Sequence, residues 1–332
     1  MGLLYFQGHV FGQTSTEFWL APPYITPSHA GQTPVFVRLA AGAEPATVTI
    51  SIPANPAFNG GVPIVVVLAA NASQSINMNA FVGSLMTHPP NTVLNTGLKI
   101  SSTASITAIY EVSPTNNPDI YALKGLTGLG TEFFVPMQNR WPNGSYTLPA
   151  YSSFDIVATE DNTTVLILPT SDLDGGQNEF ETFTITLNEG QTYSASVTNT
   201  AAINNPTGSI IVSDKDIAVS IKDDSVQPTG AGCRDLQGDQ LVPIEIIGNE
   251  YIVIRGGLNN TINEWAYAVA TQNNTQISVN GIPQGAPLFA GQTLAIQITD
   301  ADQRTYITGS KDFYMVHVSG FGCESGIAVL PP

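Results

Sequence analysis

Apolar and polar positions alternate along most of this chain, and the alternation is cut every few residues by Gly, Pro or Asn. A period of two is the mark of half-buried strands, because successive side chains leave a strand on opposite faces. Clear cases are Ala46-Thr47-Val48-Thr49-Ile50-Ser51-Ile52-Pro53, Thr163-Thr164-Val165-Leu166-Ile167-Leu168-Pro169 and Thr275-Gln276-Ile277-Ser278-Val279. The last two follow Asp161-Asn162 and Asn273-Asn274, side chains that close turns on their own backbone, and Pro169 ends its strand because it has no N–H to donate. Val62 to Ala70, Val-Pro-Ile-Val-Val-Val-Leu-Ala-Ala, is the longest apolar run and predicts one buried strand. It falls far short of the roughly 18 residues of a membrane helix. Apolar residues at a period near 3.6 are scarce, so no long helix is predicted.

The pattern recurs. Thr16-Glu17-Phe18-Trp19, Thr131-Glu132-Phe133-Phe134 and Asn249-Glu250-Tyr251-Ile252 are acidic-aromatic strand starts spaced about 115 residues apart. Val-Ala-Thr recurs at Val157 to Thr159 and Val269 to Thr271, and a Gly-Gln-Thr turn at Gly190 to Thr192 and Gly291 to Thr293. Each unit then carries a segment with a polar centre, Leu98 to Ile109, Ile210 to Ile221 and Thr305 to Val316, which predicts a hairpin. The units close through loops at Ser113 to Asp119, Asp223 to Asp239 and Ser319 to Glu324. The fold class predicted is all-β, with three pseudo-symmetric units at 15–129, 130–247 and 248–332. A closed, propeller-like ring is favoured because no linker separates the units, with consecutive β-sandwiches as the alternative.

Composition narrows the function. Charged residues are 11% of the chain, and the formal charge of −16 would repel phosphate backbones and anionic lipid. Nucleic acid and membrane insertion are therefore not expected. Leu4-Tyr5-Phe6-Gln7-Gly8 resembles a protease-cleavage scar, so residues 1–14 are set aside as a lead. Asn71, Asn143, Asn162, Asn259 and Asn273 stand in Asn-x-Ser/Thr sequences expected on exposed turns. Cys233 and Cys323 both fall in closing loops, which pseudo-symmetry would bring together around one axis. A disulfide there closes a loop worth about 4 to 5 kcal/mol of chain entropy; two free buried thiols are the alternative.

The openers, the Asp161-Asn162-Thr163-Thr164 turn, Leu187-Asn188-Glu189-Gly190-Gln191, and the Gly-Cys loops ahead of Pro243 and Pro331 together resemble the IgGFc-binding domain family over about residues 15 to 332. That family is found in a mucus-associated IgG Fc-binding protein and in large bacterial surface proteins. The resemblance implies an extracellular, secreted or surface-attached recognition or adhesion module, flanked by other domains of a larger chain, whose partner is a glycoprotein or polysaccharide. The matching motifs are turns and strand starts, so no Fc contact is carried over to any residue.

Candidate chemistry is sparse. His9, His29, His88 and His317 lie in no nucleophile or metal-ligand motif, and no Gly-x-Ser-x-Gly elbow is present. His317 between Val316 and Val318 reads as a satisfied strand histidine, so no enzyme is expected. If the axis exists, Asp119, Asp223, Asp224, Asp235, Asp239 and Glu324 converge at one end, as solvated loop acids, a calcium or polar-ligand site, or the carboxylates of a carbohydrate-active enzyme. Asp172, Asp174 and Glu179, around Gly175-Gly176, have the oxygen-rich spacing of a calcium loop, with an acidic hairpin tip as the plainer reading. Trp141 and Tyr146 stand in turn-forming company and are candidates for a binding surface, against burial in the core for the tryptophan. A structural spacer is the remaining class.

Overall fold

The computed structural model describes residues 13–228, 232–259, 263–299 and 303–332, so most of the lead at 1–14 lies outside the described residues. Three sheets of seven, seven and eight strands follow one another along the chain. The first holds β1 (Ser15–Leu20), β2 (Val35–Ala41), β3 (Ala46–Ser51), β4 (Ile64–Leu68), β5 (Ser73–Asn77), β6 (Leu98–Val112) and β7 (Asp119–Ala122). The second holds β8 (Leu129–Phe134), β9 (Ser152–Ala158), β10 (Thr163–Leu168), β11 (Phe183–Leu187), β12 (Thr192–Ser196), β13 (Ile210–Val226) and β14 (Asp235–Gln240). The third holds β15 (Gly248–Ile254), β16 (Gly257–Leu258), β17 (Glu264–Ala270), β18 (Ile277–Val279), β19 (Ile282–Pro283), β20 (Thr293–Ile298), β21 (Arg304–Gly322) and β22 (Glu324–Val329). The α-helices among the described residues are single turns, Pro27–Ala30 and Val82–Leu85.

All three sheets share one topology. The order β4-β3-β6-β2-β5 recurs as β11-β10-β13-β9-β12 and β19-β18-β21-β17-β20, with the opening and closing strands also on the long strand. That long strand is where the hairpin expectation fails: β6, β13 and β21 run unbroken for 15, 17 and 19 residues. Their polar centres are bulges. Val212 pairs Glu132 while Ile217 pairs Gly130, so Ser213 to Asp216 stand opposite one residue of β8. Ser213 Oγ donates to the Lys215 carbonyl at 2.7 Å and closes the bulge locally, as Ser102 does to Ala104 in β6 at 2.7 Å. The strand then changes partners. In β6, residues 98–101 pair β1 and residues 106–112 pair β2. Each unit is thus two four-stranded halves sharing one long strand, with the two-residue β16 added alongside β21 in the third, a pairing that serves a sandwich as well as a blade pair.

Inward positions of the alternating strands form the core of each unit, with Val37, Val48, Ile100 and Tyr110 in the first and Phe154, Val165, Ile211 and Tyr193 in the second. The Val62 to Ala70 run is corrected: β4 is an edge strand, and Val65 and Val67 point outward with 60% and 73% of their surface exposed. Asn143 is corrected too, since it is buried with Nδ2 donating to Asp223 Oδ1 at 2.7 Å.

Candidate functional site

The closing strands meet one another, β14 packing against both β7 and β22. Here the predicted acids gather, and they hold strands together. Asp119 Oδ2 accepts the Gly238 N–H of β14 at 2.6 Å, and Asp235 Oδ2 accepts the Ser325 N–H of β22 at 3.0 Å. Asp239 accepts the Val329 N–H at 3.0 Å and pairs with buried Lys124 at 3.1 Å. Asp223 is saturated by Gln138, Asn143, Ser152 and Asn205, and Asp224 accepts the Thr26 N–H at 2.7 Å and the Asn117 amide at 3.2 Å. Burial pushes the carboxyls of Asp119, Asp223 and Asp239 above the usual range, and Lys124 opposes that shift at Asp239. Burial, followed by the neighbouring Glu324, raises Asp235 to about 7.

The cysteines meet as the pseudo-symmetry predicts. Cys233 and Cys323 form a disulfide with Cα atoms 5.7 Å apart, and Glu324 lies beside it. The other predicted residues scatter. Trp141, 5% exposed, packs in the core of the second unit, so its ring is not a surface feature. Tyr146 is half-buried, stacked on His29 at 5.0 Å between centroids, and its hydroxyl accepts from Arg234 at 3.1 Å. Asp172, Asp174 and Glu179 do not bring their carboxylates together; Asp172 Oδ1 instead accepts the Glu179 N–H at 2.9 Å, which ties the hairpin tip. His317 is a strand residue whose Nε2 lies 3.1 Å from Glu264.

A different place, missed by sequence reasoning, has the form of a binding site. Along the second half of β13, Ile217, Val219 and Ile221 point into their own unit while Ala218, Ser220, Lys222 and Asp224 face the first unit. Trp19 covers Ala218, and Ser220 Oγ donates to the Ala21 carbonyl at 3.3 Å. Beyond them the seam opens into a cavity of about 170 Å³. Tyr24 and His88 form its wall on the first unit, their rings stacked at 3.9 Å. Tyr151, Asp174, Lys222 and Asp224 line it from the second. Lys222 is 5% exposed, and no hydrogen bond or ion pair engages its ammonium among the described residues. Behind it Asp155, raised by burial to about 6 although Lys222 pulls it down, keeps Oδ2 without a partner. Burial lowers the pKa of His88, with Lys222 adding to the effect, so the ring is neutral near pH 7.

Local structure sets these positions. Asp174 sits on a turn closed by the Gly176 N–H on the Leu173 carbonyl at 3.2 Å, with Gly175 and Gly176 at φ 108° and 88°. Leu148 at the rim is held at φ 65°, left-handed for a residue with a side chain, while its carbonyl accepts from Thr26 and Ser28 at 3.1 and 2.9 Å. A larger recess of about 400 Å³ at the second seam, beside Phe180 and Gly208, has no charged residue in its lining. Of its lining, Asp174 and Asp224 were named from the sequence, each in a different grouping, while Lys222, a cation inside an otherwise apolar strand pattern, was the signal passed over.

Compared with known families, the chain matches the model described as IgGFc binding protein over residues 119–328, more than half its length. Among curated proteins, no similar sequence is found.

Proposed function

As the chain belongs to the IgGFc-binding protein family, we propose that it is an extracellular recognition or adhesion module that binds a glycoprotein or polysaccharide and performs no chemistry on it. The observation that carries this reading is the cavity between the first two units, walled by Tyr24 and Tyr151 and floored by the unengaged Lys222. Small sites of this kind combine apolar walls with a few placed polar groups. The acids favour binding over catalysis: Asp119, Asp223 and Asp239 are occupied by backbone and side-chain donors. Of the two carboxyls that line the cavity, Asp224 already accepts from Thr26 and Asn117, which leaves Asp174 as the one without a donor among the described residues, whereas a glycosidase needs two carboxyls free to face the sugar. In this reading the three units surround the meeting point of β7, β14 and β22 as a ring, which the packing of β14 on both neighbours supports, and the module works among flanking domains of a larger surface or secreted chain.

The test is a glycan and glycoprotein array, including mucins and IgG, probed with labelled protein in calcium and then in chelator. Selective, saturable binding without release of a cleaved product is expected. A blank array with folded protein would favour the spacer reading. Signal only in calcium would point to Asp172 and Asp174.

A further inference from the structure

The two seams are built alike, and the same positions can be compared across them. Val157 pairs Ala218 in the second unit, and Val269, in the same Val-Ala-Thr segment, pairs Tyr314 in the third. Counting along the strands from these pairs sets Asp155 against Tyr267, Lys222 against Val318, Ser220 against Val316 and Ser194 against Ala295. At the second seam Tyr267, Val316 and Val318 are buried and pack in one continuous apolar core with residues of the second unit. At the first seam the corresponding side chains are Asp, Ser and Lys, and a cavity stands beside them. A fold position that packs well with tyrosine and valine is here given to a mostly buried lysine that no hydrogen bond or ion pair holds among the described residues, and that Asp155 and Asp223 offset only through space. Burying a charge is costly unless it is paired and hydrogen-bonded. Stability alone would select the apolar version.

Resting on the recognition reading above, we infer that this cavity is the seat of one uncharged pyranose ring, the terminal or branch sugar of the larger ligand. Lys222 donates to ring or hydroxyl oxygens. Asp174, whose carboxylate makes no hydrogen bond to another described residue, accepts from sugar hydroxyls at the rim. Tyr151, half-buried, and Tyr24 offer aromatic surface to the apolar face of the ring. Charge selects against an acidic sugar: Asp155, Asp174 and Asp224 surround the single cation Lys222, so a ligand carboxylate meets a net negative field. Size selects one ring: about 170 Å³ is well below the roughly 300–1,000 Å³ of sites that enclose drug-sized molecules.

The experiment is titration of the whole protein, by saturation-transfer NMR and calorimetry, with glucose, galactose, mannose and N-acetylglucosamine and with glucuronic and galacturonic acids. At least one neutral sugar should bind, its uronic acid at least tenfold more weakly. Lys222→Met and Asp174→Asn should each weaken the neutral sugar at least tenfold. Asp174 is exposed, so its variant keeps the test valid if Lys222→Met fails to fold. No binding by any neutral sugar, or binding indifferent to Asp174→Asn, overturns the inference. If the array gives a glycoprotein or polysaccharide hit that both variants leave unchanged, the recognition reading survives and this seat for it does not. A sugar seated here with a blank array would keep the pocket and remove the adhesive role.

Discussion

Gly208 and Gly291 meet backbone to backbone across the second seam, so closely that a Cβ on Gly208 would stand 2.0 Å from the Gly291 carbonyl oxygen. The first seam repeats the contact with Gly97 and Gly190, where a Cβ on Gly97 would lie 2.6 Å from the Gly190 oxygen and the Gly97 N–H donates to that oxygen at 3.0 Å. Beside each glycine pair two threonines touch, Thr96 with Thr192 at 2.6 Å and Thr207 with Thr293 at 3.1 Å. The Gly-Gln-Thr turn, Gly190 at φ 74° and Gly291 at φ 81°, is therefore a docking device as well as a turn.

Gly97 has no positive φ, so Gly97→Ala tests the contact alone. Overpacking of this kind typically costs about 1–3 kcal/mol, and the melting midpoint should fall accordingly. Gly176→Ala, where a Cβ meets nothing within 4 Å, should cost only the roughly 1 kcal/mol of an unfavourable φ. Equal losses in the two variants would remove the close seam from the account.

The disulfide joins residues 90 apart in sequence and ties β14 to the turn before β22. Intact protein should show no thiol to an alkylating reagent until it is reduced. Replacing both cysteines by serine should cost about 2–5 kcal/mol. A free-thiol titre of two in folded, unreduced protein would contradict the pairing.

Several buried carboxyls hold their protons more tightly folded than unfolded, Asp235 at about 7 and Asp155 at about 6 against roughly 3.9 for a free aspartate. Such groups bind extra protons in the native state, so the stability they contribute is present at low pH and is lost as pH rises through the folded values. Between about pH 4 and 7 the melting midpoint should therefore decline with rising pH. Asp235→Asn should flatten the upper part of that slope. A midpoint that rises through this window would show that Asp235 and Asp155 do not govern it.

Trp141 packs among Phe133, Phe154, Val226 and other core residues of the second unit. Truncating a buried aromatic typically costs about 3–5 kcal/mol. Trp141→Ala should therefore lower the melting midpoint steeply. An unchanged midpoint would place the ring outside the core.

The chain by itself determined whatever repeats or alternates. The strand starts at Glu17, Glu132 and Glu250, the inward Ile217-Val219-Ile221 ladder and the Gly-Gln-Thr turns are local patterns, set by backbone sterics and by which side of a strand faces oil. The meeting of Cys233 with Cys323 followed from repetition, because equivalent loops of like units fall near one another. Tertiary structure alone decided the rest. A polar centre such as Ser213-Asp214-Lys215-Asp216 suits a hairpin or a bulge equally, and only the strands on either side, which take up both halves of β13, make it a bulge. Likewise, alternation says that Ala218, Ser220, Lys222 and Asp224 share the outer face of their sheet, but not that a separate unit covers that face. Trp19, Tyr24 and Thr26, some 200 residues earlier, turn a solvent-facing pattern into a buried seam. There the first seam closes around Lys222 and leaves a cavity, because nothing apolar fills the place that Tyr267 and Val318 occupy in the second.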